Sequence, residues 1–150
     1  MPRICLSGTY ADFPAKIFVD STKPQSTLST RFSCTHNVPR DVTSIRGVAH
    51  VSCSGPVVVP TEGGWFHSRL PFQVVYSSHA DVLLGADWIA ACQPDFVHGG
   101  IRRPSQITLD RLPAGHSWVP IPSTTSYGAP YAFPSYFNVL TKITSRLLFH

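Results

Sequence analysis

The chain has 150 residues, of which 43 % are hydrophobic and only 13 % charged, about half the roughly 25 % charged share usual in globular proteins. This length bounds it to one domain with room for a tail, and so little charge favours burial in a dimer or a larger assembly. The net charge of +4, from twelve basic and eight acidic residues, is scattered, with Arg102-Arg103 the densest cluster; nucleic-acid binding needs a patch or stripe and is set aside.

Cys5, Cys34, Cys53 and Cys92 lie far apart, without a CxxC pair, and the seven histidines show no ligand spacing. No zinc site is expected from this spacing. Residues 1–20 contain Arg3, Asp12 and Lys16 and no long apolar core. No run of about 18 apolar residues could span a membrane. The expectation is a reduced, intracellular and cytoplasmic protein, whole or cut from a longer polyprotein.

In chain order, Ile4 to Tyr10 reads as a strand, Asp12-Phe13-Pro14 as turn chemistry, and Ala15 to Val19 as a second, β-rich strand that ends at Asp20. Ser21 to Thr30 reads as a tight polar loop anchored by Leu28, with Ser29 placed to cap a helical turn. Residues 33–44 read as a surface loop. Ile45 to Ser52 and Pro56 to Thr61 are strand candidates, followed by a hairpin turn at Glu62-Gly63-Gly64-Trp65. Phe66 to Tyr76 follows as a strand that Pro71 interrupts.

Asp81-Val82-Leu83-Leu84 has the continuous apolar pattern of a buried strand, Gly85 allows a sharp reversal, and Asp87 to Cys92 reads as a short helix stopped by Pro94. Phe96-Val97, Gly99-Gly100 and Ile107-Thr108-Leu109 suggest one more hairpin. The domain is therefore read over residues 1–112. Residues 113–150 read as a Pro- and aromatic-rich extension, with Pro113, Pro120, Pro122, Pro130 and Pro134 in its first 22 positions. Tyr136, Leu140, Ile143 and Leu147 share helical spacing, so the extension either closes with a short helix capped by Ser135 or orders only against a partner. Short strands, Gly/Pro turns and one short helix define the class as all-β, a small barrel.

Two segments say more. Val19-Asp20-Ser21-Thr22, followed by Ser26-Thr27-Leu28-Ser29, resembles the active-site loop of retropepsin-like aspartic proteases, which reads apolar-apolar-Asp-Thr/Ser-Gly-Ala. About 60 residues later that family carries a strand, turn and helix reading Asp-Val-Ile-Leu-Gly-x-Asp-Trp-Leu, and Asp81-Val82-Leu83-Leu84-Gly85-Ala86-Asp87-Trp88-Ile89 is very similar to it. Leu70 to Val75 also resembles the strand that precedes this motif. The version most alike is that of retrotransposon polyproteins and related fungal domains, over about residues 4–92.

The resemblance implies a closed retropepsin-like barrel whose one short helix follows the Asp81–Gly85 strand. It implies Asp20 as the catalytic carboxylate, Ser21 as the hydroxyl bracing two loops across a dimer axis, and Leu84-Gly85 as packing beneath the loop. Two such loops must face each other. Their aspartates then share one proton, one acting as general base on water and the other as general acid on the scissile carbonyl. A chain with one loop needs a homodimer, the resemblance implies no metal or cofactor, and the substrate is an extended peptide or polyprotein segment.

Three departures point toward an impaired site. Thr22, β-branched and stiff, stands where the family has glycine. Lys23 and Pro24 replace small residues, and a cation beside a carboxylate favours its ionised form over a shared proton. The family's glycine-rich flap falls at about residues 36–47, where only Gly47 is found. The alternative is a catalytically inactive dimerisation or peptide-binding module on the same fold. Asp81 and Asp87 read as structural, the latter in the first turn of a helix. Trp65, Trp88 and Trp118 read as core or contact residues. Ser7, Ser21 and Ser26 lack a His/Asp set, which leaves a serine hydrolase poorly supported.

Overall fold

The computed structural model describes residues 4–76 and 79–122; the helix expected over 135–150 lies outside them. The first hairpin pairs β1 (Ile4–Tyr10) with β2 (Phe13–Val19) along their full lengths, from Ile4 opposite Val19 to Tyr10 opposite Phe13. Its two-residue turn is Ala11-Asp12, both at positive φ, the geometry whose twist matches flanking strands. The turn thus precedes Phe13-Pro14, which already belong to β2. Alternation places Ala15, Ile17 and Val19 in the core while Lys16 stays exposed.

A short strand, β3 (Thr27–Ser29), leads into helix α1 (Thr30–Thr35). Ser29 caps it, its hydroxyl accepting the Phe32 amide at 3.0 Å. The stretch 33–44 is more ordered than its polar composition predicts. It completes α1, buries Val38, and enters β4 (Asp41–Ile45). β4 forms a hairpin with β5 (Val48–Cys53) around Arg46-Gly47, both at positive φ. This turn splits the single strand read from Ile45 to Ser52.

β6 (Val57–Thr61) and β7 (Gly64–Ser68) make the hairpin expected at Glu62-Gly63. Pro71, which lacks an amide donor, separates β7 from β8 (Phe72–Val75). β9 (Val82–Leu84) is followed by helix α2 (Ala86–Cys92), which ends on Gln93 in the left-handed region just before Pro94. β10 (Phe96–Val97) and β11 (Gly100–Ile101) form a small separate hairpin. Ile107 to Leu109 does not extend it. These residues fall in helix α3 (Gln106–Asp110), which Ser105 caps through the Thr108 amide. β12 (His116–Pro120), in the stretch read as an irregular extension, pairs with β7 from His116 opposite Ser68 to Pro120 opposite Gly64.

The main sheet has ten strands in the order β12-β7-β6-β1-β2-β9-β3-β8-β5-β4. The expected closed barrel is not formed. Closure would require β4 to hydrogen-bond β12, whereas every residue of β4 is exposed and its hairpin projects from β8 through only Ser52-Gln73 and Cys53-Phe72. Nor is α2 the one helix, since α1 and α3 flank it in sequence. The expected all-β character holds, with strands dominating and the helices short. No helix among the described residues is long and apolar enough to cross a membrane.

The core gathers Tyr10, Ile17, Val19, Leu28, Val57, Val59, Phe66, Phe72, Leu84 and Trp88, all fully buried. Phe66 meets Trp88 edge-on and Tyr10 meets Phe72 likewise, the favoured arrangement for ring quadrupoles. Burying a side chain of this size stabilises by about 1.5–3 kcal/mol. At the centre, β9 runs parallel to β2, with Val19 beside Leu84, and antiparallel to β3, with Leu28 beside Val82. Asp81 ties the three together. Its carboxylate accepts the Lys16 amide at 2.8 Å, its amide reaches Lys16 O, and its carbonyl takes the Ser29 amide.

Candidate functional site

Asp20 is the first residue beyond β2, and its position follows from the pairing of β2 with β9. The strand register places Val19 beside Leu84, and the Asp20 amide continues the ladder to Leu84 O at 3.0 Å. The chain then turns out of the sheet. The Asp20 carboxylate Oδ1 accepts the Thr22 amide at 2.9 Å and the Thr22 hydroxyl at 2.6 Å. The Lys23 amide returns to Asp20 O at 3.2 Å. Asp20 is half-buried, and Ser21 to Gln25 are exposed.

Thr22 occupies the position where the resemblance places glycine. The described non-glycine residues at positive φ are Ala11, Asp12, Asn37, Arg46, Gln93 and His98. Thr22 is not among them, so its β-branch meets no backbone strain. Its hydroxyl adds a second bond to the Asp20 carboxylate, a contact that glycine lacks.

The loop is locked from below by the second segment. Ala86 donates its amide to Lys23 O at 2.7 Å. Gly85 donates to Ser26 Oγ at 3.0 Å, and Ser26 Oγ in turn donates to Asp87 Oδ1 at 2.6 Å. Asp87 Oδ2 also accepts the Ser26 amide at 3.1 Å. A Cβ on Gly85 would sit 2.6 Å from Lys23 O and 2.9 Å from Gln25 O. The loop therefore passes so close to residue 85 that only glycine leaves room. Leu84, fully buried, lies under the start of the loop.

All five residues singled out in sequence, Asp20, Ser21, Thr22, Leu84 and Gly85, thus lie in one neighbourhood. Sequence reasoning placed Ser26 in the motif but missed its bonds to Gly85 and Asp87, and missed the reach of Asp87. Asp87 occupies the first turn of α2 as expected, but its carboxylate serves the loop as well as the helix. Both segments were legible as motifs, yet nothing in either pairs a serine with an aspartate 61 positions away.

Asp20 opens onto a groove of about 650 Å³. Phe18, Val75, Ala80 and Leu83 give it apolar walls, and Lys23 and Gln73 polar edges. Gln73 pairs with Ser52 of β5, so the β4–β5 hairpin springs from this side. Val42, Ile45 and Val48 on that hairpin are all more than half exposed.

The far end of α2 is held by a second polar cluster. The Trp88 indole donates to Ser68 Oγ at 3.1 Å, and His116 Nδ1 lies 2.9 Å from the same oxygen. Cys92 Sγ lies 3.7 Å from both Ser68 Oγ and His116 Nδ1. Burial pushes the Cys92 thiol up to about 11, so it stays protonated at neutral pH and is a poor nucleophile. Burial also holds His116 below its ordinary value, against the opposing charge of Asp87. This cluster connects β7, α2 and β12. Among the described residues no three His, Cys, Asp or Glu side chains group as metal ligands.

No family model matches the chain, and neither does any curated protein. Among solved structures it is similar to the crystal structure of the retroviral protease-like domain of Ddi1 from Leishmania major. That likeness covers 65 % of this chain and 83 % of the other, at 17 % identity and a TM-score of 0.43. At these values it assigns neither fold family nor activity.

Proposed function

We propose that this chain is a retropepsin-like aspartic endopeptidase domain of retroelement type, active as a homodimer. The observation that carries the reading is the Asp20 carboxylate, held by Thr22 at a loop end beside a groove, with the loop braced by the segment around Gly85. One chain contributes one such loop. A second copy would bring a second Asp20 against the first, and two carboxylates in contact share a proton because both cannot ionise cheaply. The ionised member then takes a proton from water as it attacks the peptide carbonyl, and the protonated member supports the developing oxyanion.

Thr22 would keep each carboxylate oriented, and Ser21, at the loop tip, would face the partner loop. The substrate would lie extended along the apolar walls. The β4–β5 hairpin, turned at Arg46-Gly47, falls in the stretch where the resemblance places a flap. All four cysteines are outside disulfides, in keeping with a reducing cytoplasm.

The test is direct. The full chain is offered a peptide library at about pH 4–6, where a carboxylate pair holds one proton, beside Asp20→Asn. Pepstatin-sensitive cleavage that the substitution abolishes is expected, from a dimer by sedimentation. A folded dimer that cleaves nothing would instead favour the non-catalytic peptide-binding module, the reading that Lys23 beside the site supports.

A further inference from the structure

We infer that Lys23 makes the groove selective for peptides that carry a carboxylate side chain next to an apolar residue. The inference rests on the reading of this groove as a peptide site and concerns what it accepts. Lys23 has a fixed backbone, its amide on Asp20 O at 3.2 Å and its carbonyl on the Ala86 amide at 2.7 Å. The loop therefore cannot carry the side chain away from the groove it lines. The walls beside it are Phe18, Val75, Ala80 and Leu83. Lys23 and His79 are the basic residues of the described lining, and Asp20 is its one acidic residue.

An apolar side chain is therefore taken up by the walls through desolvation. A neighbouring Glu or Asp meets a cation on a rim that holds no competing carboxylate beyond Asp20. A Lys or Arg at the same place meets like charge, and such juxtaposition is how a site rejects partners. Lys23 is exposed, so the discrimination is modest and falls as salt screens it.

The experiment uses the full chain carrying Asp20→Asn, which cannot turn peptide over but retains an oxygen for Thr22. Fluorescent peptides with one apolar centre and Glu, Gln or Lys at the flank are titrated by anisotropy. The Glu peptide is expected to bind about two- to fivefold tighter than the Gln peptide at low salt, and the Lys peptide weaker than both. Lys23→Gln should level the series and Lys23→Glu invert it. Equal affinities, an order unchanged in Lys23→Glu, or no binding of any peptide overturns the inference. Wild-type cleavage of the same peptides is scored apart. Cleavage indifferent to the flank overturns this inference alone, whereas charge-selective binding without cleavage overturns only the hydrolase reading.

Discussion

Ser26 Oγ donates to Asp87 Oδ1 at 2.6 Å while it accepts the Gly85 amide at 3.0 Å. One buried hydroxyl thus joins the end of the Asp20 loop to the first turn of α2. Ser26→Ala leaves the Gly85 amide without its acceptor while Asp87 keeps the Trp88 and Ser26 amides, and Asp87→Ala leaves the Ser26 hydroxyl and those two amides without theirs; an unmet buried group costs about 1–3 kcal/mol. Ser26→Ala and Asp87→Ala are each expected to destabilise by that amount in urea unfolding. The double variant should cost clearly less than their sum, because the two side chains share one bond. Full additivity would show that the contact carries no coupling.

Thr22 divides stability from activity. It is exposed, so Thr22→Val should change unfolding free energy by no more than about 0.5 kcal/mol. It does remove the 2.6 Å hydroxyl bond to Asp20. On the proposed mechanism kcat/KM should fall about tenfold, the cost of one charge-assisted hydrogen bond of about 1.5 kcal/mol. Thr22→Ser keeps the hydroxyl and should stay near wild type. Equal losses in both variants would place the effect elsewhere than in that bond.

Gly85 and Gly47 are constrained for different reasons, and alanine separates them. Gly85→Ala drives a Cβ into Lys23 O and Gln25 O, both backbone atoms. The expected cost is about 1–3 kcal/mol from overpacking, with a displaced Asp20 loop and lost activity. Gly47 lies at φ +80° with nothing within 4 Å of the added Cβ. Gly47→Ala should cost about 1–2 kcal/mol from backbone strain alone. Thermal unfolding reads both, and a silent Gly85→Ala would contradict the close approach.

Acid should loosen the seam between β7, α2 and β12. Burial keeps His116 below its ordinary value of 6.5, with Asp87 opposing, and burial does the same to His67, with Asp12 opposing. Below about pH 6.5 the unfolded chain therefore binds more protons than the folded one. The stability these groups contribute is complete above that pH and is lost as the pH falls through their folded values. Unfolding free energy should drop as the pH falls below about 6.5. His116→Gln should flatten that slope in part, leaving the share due to His67. An unchanged slope would show that His116 does not couple to folding.

Elements that announce themselves by local chemistry were legible in the sequence. The β-rich run ending at Val19, the double glycine at 63–64, the Ser29 cap and the buried Val82–Leu84 strand all formed as their residues suggest. So did the neighbourhood of Asp20, because two motifs with specific residue orders marked its halves. What failed was decided by partners. Residues 41–45 are exposed throughout, with Val42 and Ile45 facing no core, and their strand is completed by β5 lying opposite. His116 to Pro120 lie in a Pro-rich stretch that reads as an extension, and they are ordered by pairing with β7 and by His116 against Ser68. Closure of the sheet depends on what its two end strands meet, which no local pattern encodes.

The placement of β9 between β2 and β3 also sets an order of events. Residues 19 and 84 lie side by side, so the Asp20 loop gains its supports only after the whole intervening stretch has been made and has closed back on itself. Closure over that span is entropically slow compared with the local β1–β2 hairpin. A chain emerging from the ribosome therefore carries the Asp20 loop without its Gly85, Ala86 and Asp87 supports until that segment arrives. Any cleft this protein uses is a late product of its synthesis.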